Sequence, residues 1–405
     1  MRPPRSFVGA GAGGDVATVG GVKTSSARLS GLGTTIFAEM SALALRTGAV
    51  NLGQGFPDTD GPAEVVEAAV TALRDGRNQY APGTGVPELR RAIAAHQDRF
   101  YRLTVDPDTE VAVSTGATEA IATALLGLVD PGDEVVVLEP YYDSYVAMIQ
   151  MAGAVRRPVT LRAPDFRLPV DELRAAVTPR TTAILLNSPH NPTGSVLRRE
   201  ELEAIAAVAI EHDLVVISDE VYEHLTFDGL RHIPIATLPG MAERTLTISS
   251  GGKSFSLTGW KIGWATGPEP LVRSMVGVKQ FLTYTSGSPL QPAIAHALGA
   301  GVDYFTGFTA RLQAQRDQLC EGLAAIGFGV HVPEGTYFAT TDIRPLGFED
   351  GVEFCRLLPE RAGVVAIPHQ VFHDDVEAGR PLVRWAFCKR PEVIAEALDR
   401  LQVLA

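Results

Sequence analysis

The sequence predicts an α/β protein with a mostly parallel sheet covered by helices on both sides, together with a smaller α+β unit. Between about residues 110 and 250, short apolar runs alternate with stretches of helical periodicity. Short runs that are apolar throughout are typical of strands buried on both faces, and helical crossovers join such strands in parallel. After about residue 320 this alternation gives way to shorter strand-like runs and one last helix, which indicates the second unit.

The predicted strands and helices follow one another in a regular order. The strand "EVAVST" leads into the helix "ATEAIATALLGLV", and "DEVVVLEP" leads into "YDSYVAMIQMAG". The strand "TAILLNSP" precedes the helix "REELEAIAAVAIEHD", and the strands "LVVISDE" and "TLTISS" come later. Pro and Gly in "VDPGDE" mark the end of the first helix. A long helix ending in "GLAAIG" then leads to the C-terminal unit.

These patterns divide the chain into a tail and two domains. We predict a flexible tail over residues 1–30 and a large domain over residues 61–320. A small domain would consist of residues 31–60 packed against residues 321–405. In the tail, "GAGAGG" (Gly9 to Gly14) matches a dinucleotide-binding fingerprint, but no strand precedes it and no helix follows. We therefore dismiss that match.

Composition excludes several classes of protein. The 405-residue chain carries a formal net charge of −12, which argues against a dedicated surface for nucleic acid or an anionic membrane. No apolar stretch approaches the roughly eighteen residues of a membrane-spanning helix, and the N-terminus lacks the apolar centre of a secretory signal. The three cysteines have no C-x-x-C spacing. The sequence therefore predicts no metal site, no disulfide framework and a cytoplasmic location.

Residue types suited to an anion and a flat ring follow the ends of the predicted strands, where ligands bind in sheets of this kind. The helix that begins at "GAT" (Gly116 to Thr118) offers free N–H groups to a phosphate. The other strand ends carry an aromatic side chain, an amide, an acid, hydroxyls and a lysine, namely Tyr142, Asn191, Asp219, Tyr222, Ser250 and Lys253. Any one of these could serve the fold alone, but their convergence on one edge indicates a site.

Lys253 lies in "SSGGKSFSLTG", which invites two interpretations. A phosphate-binding P-loop requires glycine five residues before Gly252, where Thr247 stands. It also requires a long helix after the lysine, whereas "SFSLTGWKIGWATG" predicts a loop and then a strand. The other interpretation is a partly desolvated amine that condenses with an aldehyde beside an electron sink. The sequence favours this second interpretation.

In combination, "SSGGKSFSLTGWKIGW", "NSPHNPTG", "SDEVY", "NLGQGFPD" and "LVRWAFCKR" resemble the class I aminotransferases, which are fold-type I pyridoxal-phosphate enzymes. Within this class the chain resembles the kynurenine, glutamine and methionine transaminase branch. Through "FAEMSALA", "EPYYDSY" and "VTPRTTAILLNSPHNPTG" it is most similar to actinobacterial N-succinyldiaminopimelate aminotransferases. The resemblance covers about residues 30–405. It implies a seven-stranded, mostly parallel sheet, with pyridoxal 5′-phosphate bound in the large domain.

The resemblance also implies a role for each residue around the cofactor ring. Lys253 would bind the cofactor covalently and then shuttle the proton. Asp219 would pair with the ring nitrogen and keep it protonated, so that the ring can take up electrons. Asn191 and Tyr222 would hold the phenolic oxygen of the ring, and Tyr142 would stack on its face.

Other motif residues would hold the phosphate, the substrate and the second subunit. The phosphate ligands would be Gly116, Ala117, Thr118, Ser250 and Lys261. The substrate ligands would be Gly55, Asn187 and Arg384, whose fork suits the planar α-carboxylate. Lys261 stands where many relatives carry arginine, so it would contact the phosphate as a point charge. In a homodimer with shared active sites, Tyr80 would reach the cofactor phosphate of the partner's site and Tyr284 would enter that site on the substrate side.

The resemblance implies transfer of an amino group between N-succinyl-LL-2,6-diaminopimelate and 2-oxoglutarate, in lysine and diaminopimelate biosynthesis. The alternative is a broad-specificity kynurenine, glutamine and methionine transaminase, which could also have cysteine-S-conjugate β-lyase activity. The segment "QFLTYTSGSPLQ" has no Lys or Arg for a second carboxylate, so aspartate is disfavoured. A transcription regulator on the same fold is disfavoured too, because thirty residues are too few for a winged-helix domain.

Overall fold

The computed structural model describes residues 18–19, 22–23, 26–32 and 35–405. The α-helices of these residues are α1 (Ile36–Thr47), α2 (Ala63–Arg74), α3 (Pro87–Tyr101), α4 (Gly116–Leu128), α5 (Asp143–Ala152), α6 (Val170–Ala176), α7 (Arg199–Glu211), α8 (Gly251–Ser254), α9 (Glu269–Leu282), α10 (Gln291–Leu298), α11 (Val302–Ile326), α12 (Gly351–Arg361) and α13 (Pro391–Leu401).

The strands of the same residues are β1 (Thr18–Val19), β2 (Val22–Lys23), β3 (Val50–Asn51), β4 (Val111–Thr115), β5 (Glu134–Glu139), β6 (Val155–Thr160), β7 (Thr181–Asn187), β8 (Val215–Asp219), β9 (Thr245–Ser250), β10 (Ile262–Thr266), β11 (Gly329–His331), β12 (Phe338–Asp342), β13 (Val364–Val365), β14 (Ile367–Pro368) and β15 (Leu382–Ala386).

A seven-stranded sheet forms the centre of the protein, in the order β4-β10-β9-β8-β7-β5-β6. Strands β5 to β9 pair in parallel, whereas β10 runs antiparallel to both of its neighbours. This confirms the predicted α/β class and the mostly parallel sheet. Because β7, β8 and β9 are parallel neighbours, their carboxyl ends meet at one edge. Asn187, Asp219 and Ser250 end these three strands.

The sheet is buried on both faces, as its continuous apolar runs predict. Every residue of β5 is buried, and alternate side chains of this strand enter two separate hydrophobic clusters. Val136 and Leu138 pack in one cluster, while Val135 and Val137 pack in the other. Alternate side chains of a strand point to opposite faces, so the apolar centre of β5 packs against a hydrophobic core on each side of the sheet.

A second, antiparallel sheet has the order β11-β12-β15-β14. Strand β3 pairs in parallel with β13, where Val50 lies opposite Val364. Helix α1 contacts α12 and β13, so the segment that precedes residue 60 packs on the C-terminal elements. The predicted domain boundaries remain predictions. Most of the predicted tail, including the glycine match at Gly9 to Gly14, lies outside the described residues.

None of the described helices is long and apolar enough to cross a membrane. The three cysteines, Cys320, Cys355 and Cys388, are free and buried.

Several histidines are buried in their neutral form. Burial lowers the pKa of His190 and of His224 to about 3 and that of His373 to about 4. Burial also lowers the pKa of His96 and of His369. An unfolded chain restores a pKa of about 6.5 to each. Between these values the unfolded state binds more protons than the native state, so the free energy of unfolding falls as the pH falls.

We predict acid sensitivity that depends on individual buried histidines. Both ring nitrogens of His373 are buried, and neither has a hydrogen-bond partner among the residues that the structure describes. We expect His373→Gln to flatten the pH dependence of unfolding between about pH 6.5 and 4 by up to about 1.4 kcal/mol per pH unit. The measurement is the free energy of urea unfolding at several pH values. A slope in His373→Gln equal to that of the wild type would contradict the prediction.

Candidate active site

A cavity of about 430 Å³ opens at the carboxyl edge of the central sheet. Thirteen of the residues singled out in the sequence line it, namely Gly55, Gly116, Ala117, Thr118, Tyr142, Asn187, Asn191, Asp219, Tyr222, Ser250, Lys253, Lys261 and Arg384. They come from both sheets and from the segment before residue 60. The sequence motifs therefore meet in one place, although they are spread over more than 300 residues.

Lys253 lies on α8, a helix of four residues directly after β9. A short 3-10 turn and then β10 follow it, so the long helix of a P-loop is absent at this lysine. Burial lowers the pKa of the Lys253 amine to about 8. A larger neutral fraction near pH 7 is what an amine nucleophile needs. The Nζ atom donates a hydrogen bond to Tyr337 Oη at 2.7 Å.

The start of α4 faces a lysine. Lys261 Nζ donates to Thr118 Oγ1 at 3.2 Å, and burial lowers the pKa of this amine. Gly116 has a φ of 69°, and a Cβ there would lie 3.1 Å from Lys261 Nζ. A Cβ on Gly263 of β10 would lie 2.4 Å from the Gly116 carbonyl carbon. The two glycines thus let β10 and its lysine approach the helix N-terminus, where free N–H groups favour an anion.

Asp219 is a buried carboxyl group at the end of β8. It accepts hydrogen bonds from Tyr145 Oη at 2.6 Å and from the Val221 N–H at 3.3 Å. Burial nevertheless raises its pKa to about 6. Among the described residues it forms no salt bridge, so its charge needs a cationic or N–H partner from a ligand.

Asn187 fixes the loop that carries Asn191. Its Nδ2 donates to the Asp219 carbonyl at 2.9 Å, and its Oδ1 accepts from the Asn191 N–H at 2.7 Å. Asn187 was predicted to line the substrate side, and it does line the cavity. These two bonds are nevertheless to the protein backbone, so Asn187 also holds the loop in shape.

Arg384 is a buried cation without a carboxylate partner among the described residues. Its two terminal nitrogens donate to Asn191 Oδ1 and to the Gly53 carbonyl, both at 3.0 Å. Its Nε has no partner, and its guanidinium carbon lies 3.9 Å from the centre of the Phe338 ring. Burial lowers its pKa to about 10. Such a group is prepared for an anion that enters the cavity.

Two important residues were missed by reasoning from the sequence. Tyr145 lies three residues after Tyr142, on the first turn of α5, and the helical spacing was a signal for it. Tyr337 precedes β12, and its sequence neighbourhood gives no sign that it reaches Lys253. Its ring packs edge to face against Tyr222, with the centroids 5.2 Å apart.

Two predicted residues lie outside the cavity. Tyr80 and Tyr284 are 83% and 45% exposed, and their rings meet edge to face with centroids 5.7 Å apart. Lys279 joins their loops, because its Nζ donates to the carbonyls of Gly83 and Tyr284.

The cavity combines an amine of lowered pKa, a buried acid, an anion site at a helix N-terminus and an arginine that pairs with no carboxylate of the described residues. Comparison with known proteins identifies the family to which a chain with this combination of residues belongs. The family model described as aminotransferase class I and II matches residues 47–401. The chain belongs to the class I and II aminotransferases. It is therefore an aminotransferase that depends on pyridoxal 5′-phosphate, as this family does.

Relatives of this aminotransferase resemble it over nearly their whole length. The protein named probable N-succinyldiaminopimelate aminotransferase DapC from Mycobacterium tuberculosis is 54% identical over 389 residues, which are 93% of this chain and 98% of the relative. The solved structure of N-succinyldiaminopimelate aminotransferase from the same organism has a TM-score of 0.92, covering 96% of this chain and all of that one. The methionine aminotransferase of Escherichia coli is 39% identical over 93% of this chain and 97% of its own.

The residues of the cavity fit the cofactor of this aminotransferase family. A phosphate suits the N–H groups at Gly116 to Thr118 together with Lys261, and a ring nitrogen that carries a proton suits Asp219. The amine of Lys253 is buried in the same cavity. Burial also raises the pKa of the Tyr222 phenol, which therefore keeps its proton and acts as a hydrogen-bond donor.

We predict that Tyr145 strengthens cofactor binding through Asp219. Tyr145→Phe removes one hydrogen bond to a buried carboxylate, so the ionised acid is less favoured. We expect cofactor affinity to fall about tenfold, the lower range for a bond to a charged group. Spectroscopic titration of the cofactor measures this. Tyr141→Phe is the matched control, since Tyr141 donates to Asp374 at 2.6 Å instead. Equal affinities of the two variants would refute the role of Tyr145.

Proposed function

We propose that the enzyme transfers an amino group between N-succinyl-LL-2,6-diaminopimelate and 2-oxoglutarate. The observation that carries this proposal is the 54% identity, over 93% of the chain, to a relative named for that donor. The same identity extends to the solved N-succinyldiaminopimelate aminotransferase structure. The reaction would serve diaminopimelate and lysine biosynthesis.

The charges of the cavity are consistent with this donor. Its cationic side chains among the described residues are Lys253, Lys261 and Arg384. Lys261 lies at the phosphate corner and Lys253 is the amine, which leaves Arg384 for the α-carboxylate. A short dicarboxylate would need a second cation close to the first. A long donor with an acylated far end instead carries its remaining carboxylates several bonds away, towards the mouth of the cavity.

We assign the chemistry to Lys253, Asp219 and Tyr222. Bound pyridoxal 5′-phosphate supplies an aldehyde that accepts the amino group and a ring that disperses negative charge. Lys253 Nζ would hold the cofactor and then carry the proton between substrate carbon and cofactor. Asp219 would keep the ring nitrogen protonated. Tyr222 and Asn191 would donate to the phenolic oxygen, and Tyr142 would cover the ring face and exclude water.

The remaining assignments concern the phosphate and the substrate. Gly116, Ala117 and Thr118 would bind the phosphate through N–H groups, with Ser250 and Lys261 beside them. Arg384, aligned by its bond to Asn191 Oδ1, would form two parallel hydrogen bonds to the α-carboxylate. Gly55 would line the substrate side, and the lack of a Cβ lets its segment pack against Phe338, because a Cβ there would lie 2.4 Å from the Phe338 ring.

We further propose a homodimer in which Tyr80 and Tyr284 complete the partner's site. Both rings point to solvent, and the neighbouring Phe281 and Leu282 are 85% and 57% exposed. A cluster of exposed large apolar side chains typically marks a protein interface. Thr283 Oγ1 donates to Glu119 of α4, so this cluster borders the helix that carries the phosphate site. A cytoplasmic location is proposed as well, since all three cysteines are unpaired.

A broad-specificity transaminase is the second candidate. Two relatives favour it, because the methionine aminotransferase of Escherichia coli is 39% identical and the mouse kynurenine–oxoglutarate transaminase 3 is 38% identical. β-Lyase activity on cysteine conjugates would use the same lysine and cofactor. It would release pyruvate and ammonia instead of forming glutamate.

Reduction of the enzyme with borohydride tests the assignment of Lys253. We expect mass spectrometry of the digested protein to find the reduced cofactor on Lys253, and we expect Lys253→Ala to retain the fold with turnover lower by several orders of magnitude. Lys261→Ala serves as the control and should still carry the adduct on Lys253. Recovery of the adduct on another lysine would overturn the assignment.

A panel of amino donors with 2-oxoglutarate tests the substrate. We expect N-succinyl-diaminopimelate to exceed kynurenine, methionine and glutamine in kcat/KM, with aspartate poor. Arg384→Lys loses the fork and should lower kcat/KM for every donor by a similar factor, worth about 1.5–3 kcal/mol. A wild-type preference for kynurenine or methionine would favour the second candidate. A changed order of donors in the variant would show that Arg384 contacts the donor side chain.

Complementation tests the shared site. Tyr80→Ala and Lys253→Ala should each have low activity alone. After subunit exchange, each hybrid dimer would contain one site with an intact lysine from one subunit and an intact tyrosine from the other. We expect the mixture to regain part of the activity in a turnover assay. Labelled subunits report the exchange, and exchange without regained activity would exclude a site shared through Tyr80.

A further inference from the structure

Tyr337 makes a contact that none of the assigned roles explains. The residue is 1% exposed and immediately precedes β12. Its hydroxyl accepts a hydrogen bond from Lys253 Nζ at 2.7 Å and donates one to the Gly55 carbonyl at 2.5 Å. Among the described residues, Tyr337 Oη is the only hydrogen-bond partner of the lysine amine.

The direction of these bonds is fixed by chemistry. A phenol has one O–H, and the Gly55 carbonyl can only accept. The proton of Tyr337 is therefore directed to Gly55, which leaves the oxygen lone pairs facing Lys253 Nζ. Burial raises the pKa of this phenol well above its usual range, so the proton stays in place. Tyr337 thus offers the amine an acceptor of defined orientation.

Packing and a backbone hydrogen bond fix the position of the Tyr337 ring. The ring packs against Tyr222, and its backbone carbonyl accepts from the Phe387 N–H at 2.9 Å. The bond to Gly55 ties it to the segment whose Gly53 carbonyl binds Arg384. One side chain therefore connects the amine with the segment that also binds the arginine proposed for the substrate carboxylate.

We propose that Tyr337 is a positioning residue that holds the Lys253 amine at one fixed point of the cavity and favours its protonated form through hydrogen bonding. The proposal rests on the assignment of Lys253 as the cofactor lysine. The consequence is that the amine stays within reach of the substrate carbon between proton transfers, instead of sampling other rotamers. Four rotatable bonds make a lysine side chain costly to order, so a fixed acceptor raises the fraction of productive positions.

The test compares Tyr337→Phe with Tyr304→Phe in the holoenzyme. Both changes delete one phenol oxygen. Tyr304 Oη donates to the Ser254 carbonyl at 3.0 Å, so the control loosens the same short helix without touching Nζ. Three properties are measured, namely the pH midpoint of kcat, which reports the protonation of the free Lys253 amine, kcat at its plateau, and KM.

For Tyr337→Phe we expect the pH midpoint to fall by about one to two units, because a positively charged nitrogen loses one acceptor. We expect kcat to fall about ten- to a hundredfold and KM to change less, because the variant removes the acceptor of Nζ but leaves both hydrogen bonds of Arg384 in place. Tyr304→Phe should resemble the wild type in all three. A wild-type midpoint and kcat in Tyr337→Phe would overturn the proposal, as would equal effects in the two variants.

A second variant tests the proposal even if Tyr337→Phe misfolds. Fluorotyrosine at position 337 keeps the shape and the hydroxyl but weakens the oxygen as an acceptor. We expect it to lower the midpoint in the same direction by a smaller amount, and a rise would contradict the proposal. Borohydride reduction of each variant separates the assignment of Lys253 as the cofactor lysine from the positioning role of Tyr337. An adduct on another lysine would refute the assignment of Lys253, whereas an adduct on Lys253 with an unshifted midpoint would refute only the role of Tyr337.

Discussion

A chain of three hydrogen bonds joins the two halves of the site, and the geometry of the rest depends on it. Asn187 Nδ2 donates to the Asp219 carbonyl, and Asn187 Oδ1 accepts from the Asn191 N–H. Asn191 Oδ1 in turn accepts from Arg384 on β15. The chain therefore runs from the central sheet to the antiparallel sheet. Removing any member would leave a buried polar group unpaired. Asp219 could then move relative to Arg384.

Two buried charged groups, Asp219 and Arg384, lie at the two ends of this series of hydrogen bonds. Asp219 and Arg384 are both buried, yet no described residue neutralises either one through a salt bridge. Burial raises the pKa of the acid to about 6 and lowers that of the arginine to about 10. Each shift reflects a cost of removing a charge from water. A ligand with an N–H at one end and a carboxylate at the other would offset both costs, which is consistent with a bound cofactor and an amino acid.

The resemblance identified half of the residues that line the cavity, because the family motifs follow strand ends. The central strands are recognisable from continuous apolar runs, and parallel strands bring their carboxyl ends to one edge. Reasoning from the sequence did not identify Tyr145 and Tyr337, because their roles depend on the direction in which their side chains point. Tyr145 acts through Asp219, and Tyr337 reaches Lys253 from a part of the chain 84 residues away. Local sequence carries no signal for such a contact.

The sequence by itself determined the α/β class and the mostly parallel sheet, because periodicity is a local property, and it predicted Lys253 as the lysine of the site from the residues at strand ends. Only the tertiary structure decided which acceptor Lys253 meets and that Arg384 has no carboxylate partner within the described part of the chain. It also decided that Tyr80 and Tyr284 face solvent rather than their own cavity. These features depend on the distance between side chains that are remote in sequence. For Lys253 and Arg384 those distances are set where the antiparallel sheet packs against the segment after β8, as Tyr337 does against Tyr222.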